Sequence, residues 1–335
     1  MKDWFYTYID GKFEKKEINT SLSLGESEVL VRPISVGICG SDLFAIKHNN
    51  GASPIGHEWV GEIISLGSEV QNHKVGEIIT SAANYCCQKC KECLSANWKD
   101  CTRRKLLGSD DVSVISTQVR IHESDIVKLP QNLSVEALVM LEVAYIGDLS
   151  VRHAKAVGLK KDDKVVIFGG GPIGIFSYLA FKHRGFNPVL VEKSKVRVEN
   201  AKKLGLNVEN FASFLISDAH FCKYDVVIDC TGDGAGSTGL LPHAHLFPKK
   251  SGAVVFIGKY FDSKLDNNSF HKMDLRVSWL GRHGVEEFRE SVKFWTPLIE
   301  EYAQKMVKKF EFSDIEEAFR VGEKREYTKC ILLRK

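Results

Sequence analysis

The stretch "VVIFGGGPIGIF", Val165–Phe176, decides the fold class. Four apolar residues run straight into Gly169-x-Gly171-x-x-Gly174, and a second apolar segment follows. The first glycine permits a tight turn, and the second lets backbone approach a pyrophosphate. The third lets helix and strand pack closely, while the helix N-terminus faces the anion. An ordinary strand–turn–helix connection could carry the same pattern. The nucleotide reading is favoured by "PVLVEK", which ends in Glu192 near the distance expected of an acid that grips a ribose 2′-hydroxyl. Gly169, Gly171, Pro172, Ile173, Gly174 and Glu192 are therefore candidate cofactor contacts. Glu192 would repel a 2′-phosphate, which favours NAD. Lys193, Lys195 and Arg197 follow closely; a basic side chain there could serve NADP, or all three could form the solvated face of the next helix.

Outward from this turn the strand–helix rhythm continues. "SKVRVENAKKLG" reads as a helix with Ser194 as N-cap and Gly205 past its end. "YDVVIDCTG", "GAVVFIGK" and "LRVSWLG" read as three further apolar strands. Continuous apolar strands alternating with helices predict an α/β fold with a buried, doubly wound parallel sheet. Before about Ala144 the texture differs. "SEVLVRPISVGI", "WVGEIISLG" and "GEIITSA" are short strands separated by turn residues, as in a small β domain. The tail, "FEFSDIEEAFRVGEKREYTKCILLRK", holds a helix and a last strand that fit either sheet.

Composition narrows the function classes. The 335 residues suit two domains. Net charge is +3 with both signs interleaved, so no basic face for nucleic acid stands out. The start, "MKDWFYTYID", has no apolar signal core. The longest apolar run, Val165 to Phe181, reaches the lower limit of a membrane span, but "GGGP" at its centre would break the helix. A cytoplasmic protein is expected, with no membrane partner. Clustered cysteines then indicate metal rather than disulfides.

Two clusters carry that chemistry. In "CCQKCKECLSANWKDC", Cys87, Cys90, Cys93 and Cys101 follow C-x2-C-x2-C-x7-C. Four thiolates at such spacing can wrap one tetrahedral zinc and close it to water, leaving Cys86 outside. No paired histidines follow, so the nucleic-acid finger pattern is absent. Upstream, "VGICGSD" supplies Cys39, Ser41 and Asp42, "PIGHEWVGEI" supplies His57 and Glu58, and "MLEVAYIG" supplies Glu142. A lone Cys–His pair is usually coincidence. Mixed cysteine, histidine and carboxylate donors with an open position describe a catalytic zinc.

The chain resembles the zinc-dependent medium-chain alcohol and polyol dehydrogenases, on its sorbitol dehydrogenase-like side. The resemblance rests on "GICGSD", "GHEWVGEIISLGSEV", the four-cysteine lobe, "GGGPIG", "DVVIDCTG" and "DIEEAF". It implies a GroES-like catalytic domain over 1–145 with a structural zinc lobe. A Rossmann domain over 146–281 and a C-terminal segment, 282–335, that completes the catalytic domain would follow. It implies Cys39 and His57 as zinc ligands, with Glu58 or Glu142 as the third. Ser41 would pass the substrate proton, and Asp42 would orient the histidine. Arg282 resembles a pocket arginine of the sorbitol branch, although a surface role fits equally. Two zinc ions and NAD, or else NADP, are the implied cofactors, and a homodimer or homotetramer is expected.

Four departures from the family stand out. Phe44 replaces a relay histidine, Val143 follows Glu142 in place of a proline, and Asp148 stands where an apolar residue is common. The segment from Lys105 to Ile121 lacks the family's glycine-rich form. The expected reaction moves a hydride between nicotinamide and a secondary alcohol or polyol, or the matching ketone. An NADPH-linked reductase of a sugar phosphate or cyclitol is the alternative, and a non-catalytic nucleotide-binding relative a remoter one. Arg282, His283 and Asp148 are candidates for polar substrate contacts.

Overall fold

The computed structural model describes residues 3–18, 24–48, 53–95, 97, 100–107, 113–232, 239–281 and 283–335. The chain divides into two compact units, residues 1–142 with 282–335, and residues 143–281. The division falls at Glu142, inside the 22-residue helix Val135–Ala156, where the sequence suggests residue 145.

In the first unit, a seven-stranded sheet runs Ile126–Lys128, Ile78–Ser81, Glu58–Leu66, Glu28–Gly37, Lys329–Leu333 and Val307–Glu311; Val119–His122 also pairs with Glu28–Gly37. The tail thus joins this sheet: Lys329–Leu333 pairs antiparallel with Glu28–Gly37 and parallel with Val307–Glu311. Trp59, Val31, Ile63 and Phe312 belong to its buried core. A separate hairpin, Trp4–Ile9 with Lys12–Glu17, forms an element that the polar-aromatic start does not announce. Lys15 Nζ lies over the Trp4 ring, 4.3 Å from its centroid.

The second unit is a six-stranded parallel sheet. Its order is Val208–Asn210, Val189–Glu192, Val165–Phe168, Tyr224–Asp229, Pro248–Phe256, Arg276–Trp279. This is the doubly wound order 3-2-1-4-5-6. Residues 165–168 are all buried, as a central strand covered on both faces requires. Val208–Asn210 is only three residues long and carries no periodic signal. Among the described residues, no helix is long and apolar enough to cross a membrane.

Candidate active site and metal centres

Cys39 follows the strand Glu28–Gly37 and directly precedes the helix Gly40–His48; His57 directly precedes the strand Glu58–Leu66. One buried carboxylate joins the two loops. Asp42 Oδ2 accepts from Cys39 N at 2.8 Å, and Oδ1 accepts from Gly56 N at 3.2 Å and lies 3.4 Å from His57 Nδ1. With Nδ1 turned to Asp42, Nε2 is the ring nitrogen left for a metal. Burial opposes charge on both groups, but each outweighs that for the other. Asp42 is held below its usual range, and His57 is raised well above its own by Asp42 and Cys39.

The donor atoms of Cys39, His57 and Glu58 all lie within 4.8 Å of one another. Donors sharing one zinc at 2.0–2.3 Å lie at most about 4.6 Å apart, so a small closure seats a single ion. Thiolate, imidazole and carboxylate also suit zinc chemically. Glu142, buried on the helix Val135–Ala156, falls outside this converged set. Burial first, and then the Glu58 carboxylate, push its carboxyl up to about 7. Ser41 is exposed on the first turn of Gly40–His48. Phe44 stacks on His48 at 4.1 Å, so an imidazole stands one turn beyond the family's relay position.

Lys329 is the member of this site that sequence reasoning missed. Its Nζ pairs with Glu58 Oε2 and donates to Ile38 O at 3.0 Å, 291 positions away in the chain. No local signal links those positions. A tail lysine beside apolar residues was the only available hint.

In the lobe, Cys90 Sγ lies 3.4 Å from Cys93 Sγ and 3.8 Å from Cys101 Sγ, and Cys87 Sγ lies 4.0 Å from Cys93 Sγ. Four sulfurs at 2.3 Å from a tetrahedral zinc stand about 3.8 Å apart, so the four cysteines fit that ion. The N–H of Lys89 leads several donors that lower the Cys87 thiol to about 6, whereas burial raises Cys93. A metal is what would ionise the whole set. Cys86 is outside it; burial and then Asp125 push its thiol up to about 12. Asp125, buried beneath, accepts from Cys86 N at 3.5 Å.

At the glycine turn, Gly169 has φ +102°, and a Cβ on Gly174 would stand 1.7 Å from Gly169 O. Neither position tolerates a side chain. Pro172 opens the helix Pro172–Lys182, with Gly171 as its N-cap and Ile173 in the first turn. Glu192 ends its strand buried; Oε2 accepts from Gly170 N at 2.6 Å and Oε1 from Ser194 N at 2.7 Å. Arg197 Nη1 is 3.9 Å from Glu192 Oε2. Lys193 carries its carbonyl to Asn210 Nδ2, and Lys195 is exposed at the helix start.

Asp148 departs from expectation. Its buried carboxylate is held by Arg184 and, at 3.6 Å, by Arg152, all within the second unit. Those two cations compensate its burial, which leaves it a packing role in place of a substrate contact. His283 is half-buried just ahead of the helix Val285–Trp295, and Arg282 lies outside the described residues.

Comparison with known proteins agrees with this architecture. Residues 25–131 match the alcohol dehydrogenase GroES-like domain. Over 269 residues the chain is 27% identical to D-arabitol-phosphate dehydrogenase of Enterococcus avium, covering 76% of this chain and 75% of that protein. It is 32% identical over 231 residues to sorbitol dehydrogenase of Arabidopsis thaliana, covering 63% and 62%. The latter alignment spans less than two thirds of the relative's length. The crystal structure of 2R,3R-butanediol dehydrogenase from Bacillus subtilis superposes with a TM-score of 0.81 at 21% identity, over 99% of this chain and 100% of that one. A GroES-like unit and a doubly wound parallel unit define the class of medium-chain dehydrogenases. This chain has that architecture, with a GroES-like domain of the alcohol dehydrogenase type at residues 25–131, and is similar to sorbitol dehydrogenase and L-idonate 5-dehydrogenase.

Proposed function

We propose that the chain is a zinc-dependent dehydrogenase that oxidises a hydroxyl-rich secondary alcohol, or reduces the matching ketone, with NAD. The observation that carries this reading is the convergence of Cys39, His57 and Glu58, with Asp42 locking the histidine. Zinc at that set supplies Lewis acidity that lets a substrate hydroxyl lose its proton near neutral pH, and nicotinamide supplies the hydride acceptor. Ser41 Oγ takes the hydroxyl proton. Its exposure passes that proton to water without a relay histidine. Asp42 keeps His57 Nδ1 engaged, and Glu142 stands buried near the Glu58 carboxylate instead of joining the ligands. In the second unit, Gly169–Gly174 admits the pyrophosphate to the helix N-terminus, and Glu192 accepts ribose hydroxyls. Arg197 flanks the adenosine side. One harder, thiolate-poor ligand set favours an oxygen-rich substrate, because a vicinal diol offers a second oxygen.

Four thiolates hold a second, structural zinc. Assembly as a dimer or tetramer fits a family enzyme and is read by light scattering. Similarity to D-arabitol-phosphate dehydrogenase favours a phosphorylated polyol as the second reading. The test is kcat/KM on polyols, polyol phosphates, 2-propanol and 2-butanol with both cofactors. Polyols with NAD should lead; a lead of about tenfold by the small alcohols, or about 1.4 kcal/mol, overturns the substrate reading.

A further inference from the structure

Lys329, on the strand Lys329–Leu333, is 4% exposed. A lysine is almost never fully buried unless paired. Removing its ammonium from water costs several kcal/mol unless partners compensate. Glu58 Oε2 and Ile38 O are those partners. A third strand makes the space for them. Gly37 pairs with Glu58 on one side and with Ile331 on the other. A Cβ on Gly37 would stand 2.6 Å from Glu58 Oε2 and 3.3 Å from Lys329 Cε. The central strand therefore lacks a side chain where its neighbours meet, and the ion pair fills that gap.

We propose that Lys329 is a positioning residue that, by holding Glu58 Oε2, limits Glu58 to one oxygen on the metal and keeps a coordination position open. This rests on Cys39, His57 and Glu58 being the ligands. A carboxylate with both oxygens free can chelate, and zinc accepts a fifth ligand. Chelation by Glu58 would then occupy the place that a substrate oxygen needs. An ammonium is suited to the task because it is a compact point charge that can engage a single oxygen, unlike the two-pronged guanidinium. Oε2 faces Gly37 and Lys329, so Oε1 is the oxygen that Glu58 keeps for the ion.

Cobalt(II), the visible stand-in for zinc, tests this on the full chain. The spectrum of Cys39→Ser, in which only the four-cysteine lobe carries thiolate-bound cobalt, is subtracted from each variant. In Lys329→Met the remaining d–d absorption should drop by about half or more as the ion gains a ligand. Release of that cobalt to a chelator should slow by about tenfold. Wild-type absorption and release in folded Lys329→Met overturn the inference. If Lys329→Met does not fold, Gly37→Ala wedges the same ion pair apart and should move both readouts the same way. Unchanged values in folded Gly37→Ala also overturn it. If wild type and Cys39→Ser give identical spectra, Cys39 holds no metal, and the reading beneath the inference falls as well.

Discussion

The two ligand clusters of the first unit are built on opposite plans. In the lobe, the four donors come from 15 consecutive positions, Cys87 to Cys101, and all are sulfur. Around Cys39, the donors are one sulfur, one nitrogen and one oxygen, and their supports reach from Gly37 to Lys329. The lobe can close on its ion by local folding alone, whereas the Cys39 cluster exists only when distant strands are in register. The first plan suits a brace, and the second suits a site where one position must stay free for chemistry.

The largest effect should separate the two. Cys39→Ser should lower kcat/KM by about 10³-fold or more, roughly 4 kcal/mol, with melting temperature and lobe metal nearly unchanged. Measured activity within tenfold of wild type would remove the distinction. Cys93→Ser should do the reverse. It should cost several kcal/mol of stability, read from denaturant unfolding, with activity per folded molecule retained. A mild chelator should strip the Cys39 cluster before the lobe, because only the former is open; metal analysis during dialysis follows the order.

A pH experiment probes what lies under the lobe. Burial pushes the Asp125 carboxyl up from its ordinary 3.8 to about 7. The folded state thus favours the protonated acid. Its contribution is fully present below about pH 3.8 and is lost as pH rises through 7. Asp125→Asn should flatten that window and stabilise the chain at pH 8 by a few kcal/mol. An unchanged profile in denaturant unfolding would show that Asp125 does not couple to the lobe's stability. The smallest effect lies in the other unit. Glu192→Ala should erode the preference for NAD over NADP by about tenfold, or roughly 1.4 kcal/mol, without disturbing either metal content.

The parts legible in sequence are the local ones. Val165–Phe168, the turn at Gly169 and the cap at Ser194, whose Oγ accepts from Arg197 N at 3.4 Å, all follow from neighbours within a few residues. Cysteine spacing likewise encloses one tetrahedron. Pairing across the chain was beyond reach. Periodicity placed a last strand in the tail but could not choose its sheet, since an apolar strand fits either. Spacing could not decide between Glu58 and Glu142, because that depends on which carboxylate a helix and a strand turn toward Cys39. Asp148 looked like a pocket acid only because Arg184, 36 positions on, cannot be paired with it from sequence.

The register that sets Ile331 against Gly37 has a consequence for how the molecule is made. Between those partners runs the whole of residues 143–281, a contiguous unit with its own sheet. Closing so long a loop from a disordered chain is slow, because its entropy must be lost before any contact rewards it. If the inserted unit folds first, it shortens the effective loop, and the late strand then docks with its lysine already near the gap. Assembly of the first unit should therefore be the slow phase of refolding, and protection of the Lys329–Leu333 amides from hydrogen exchange should arrive after that of Val165–Phe168.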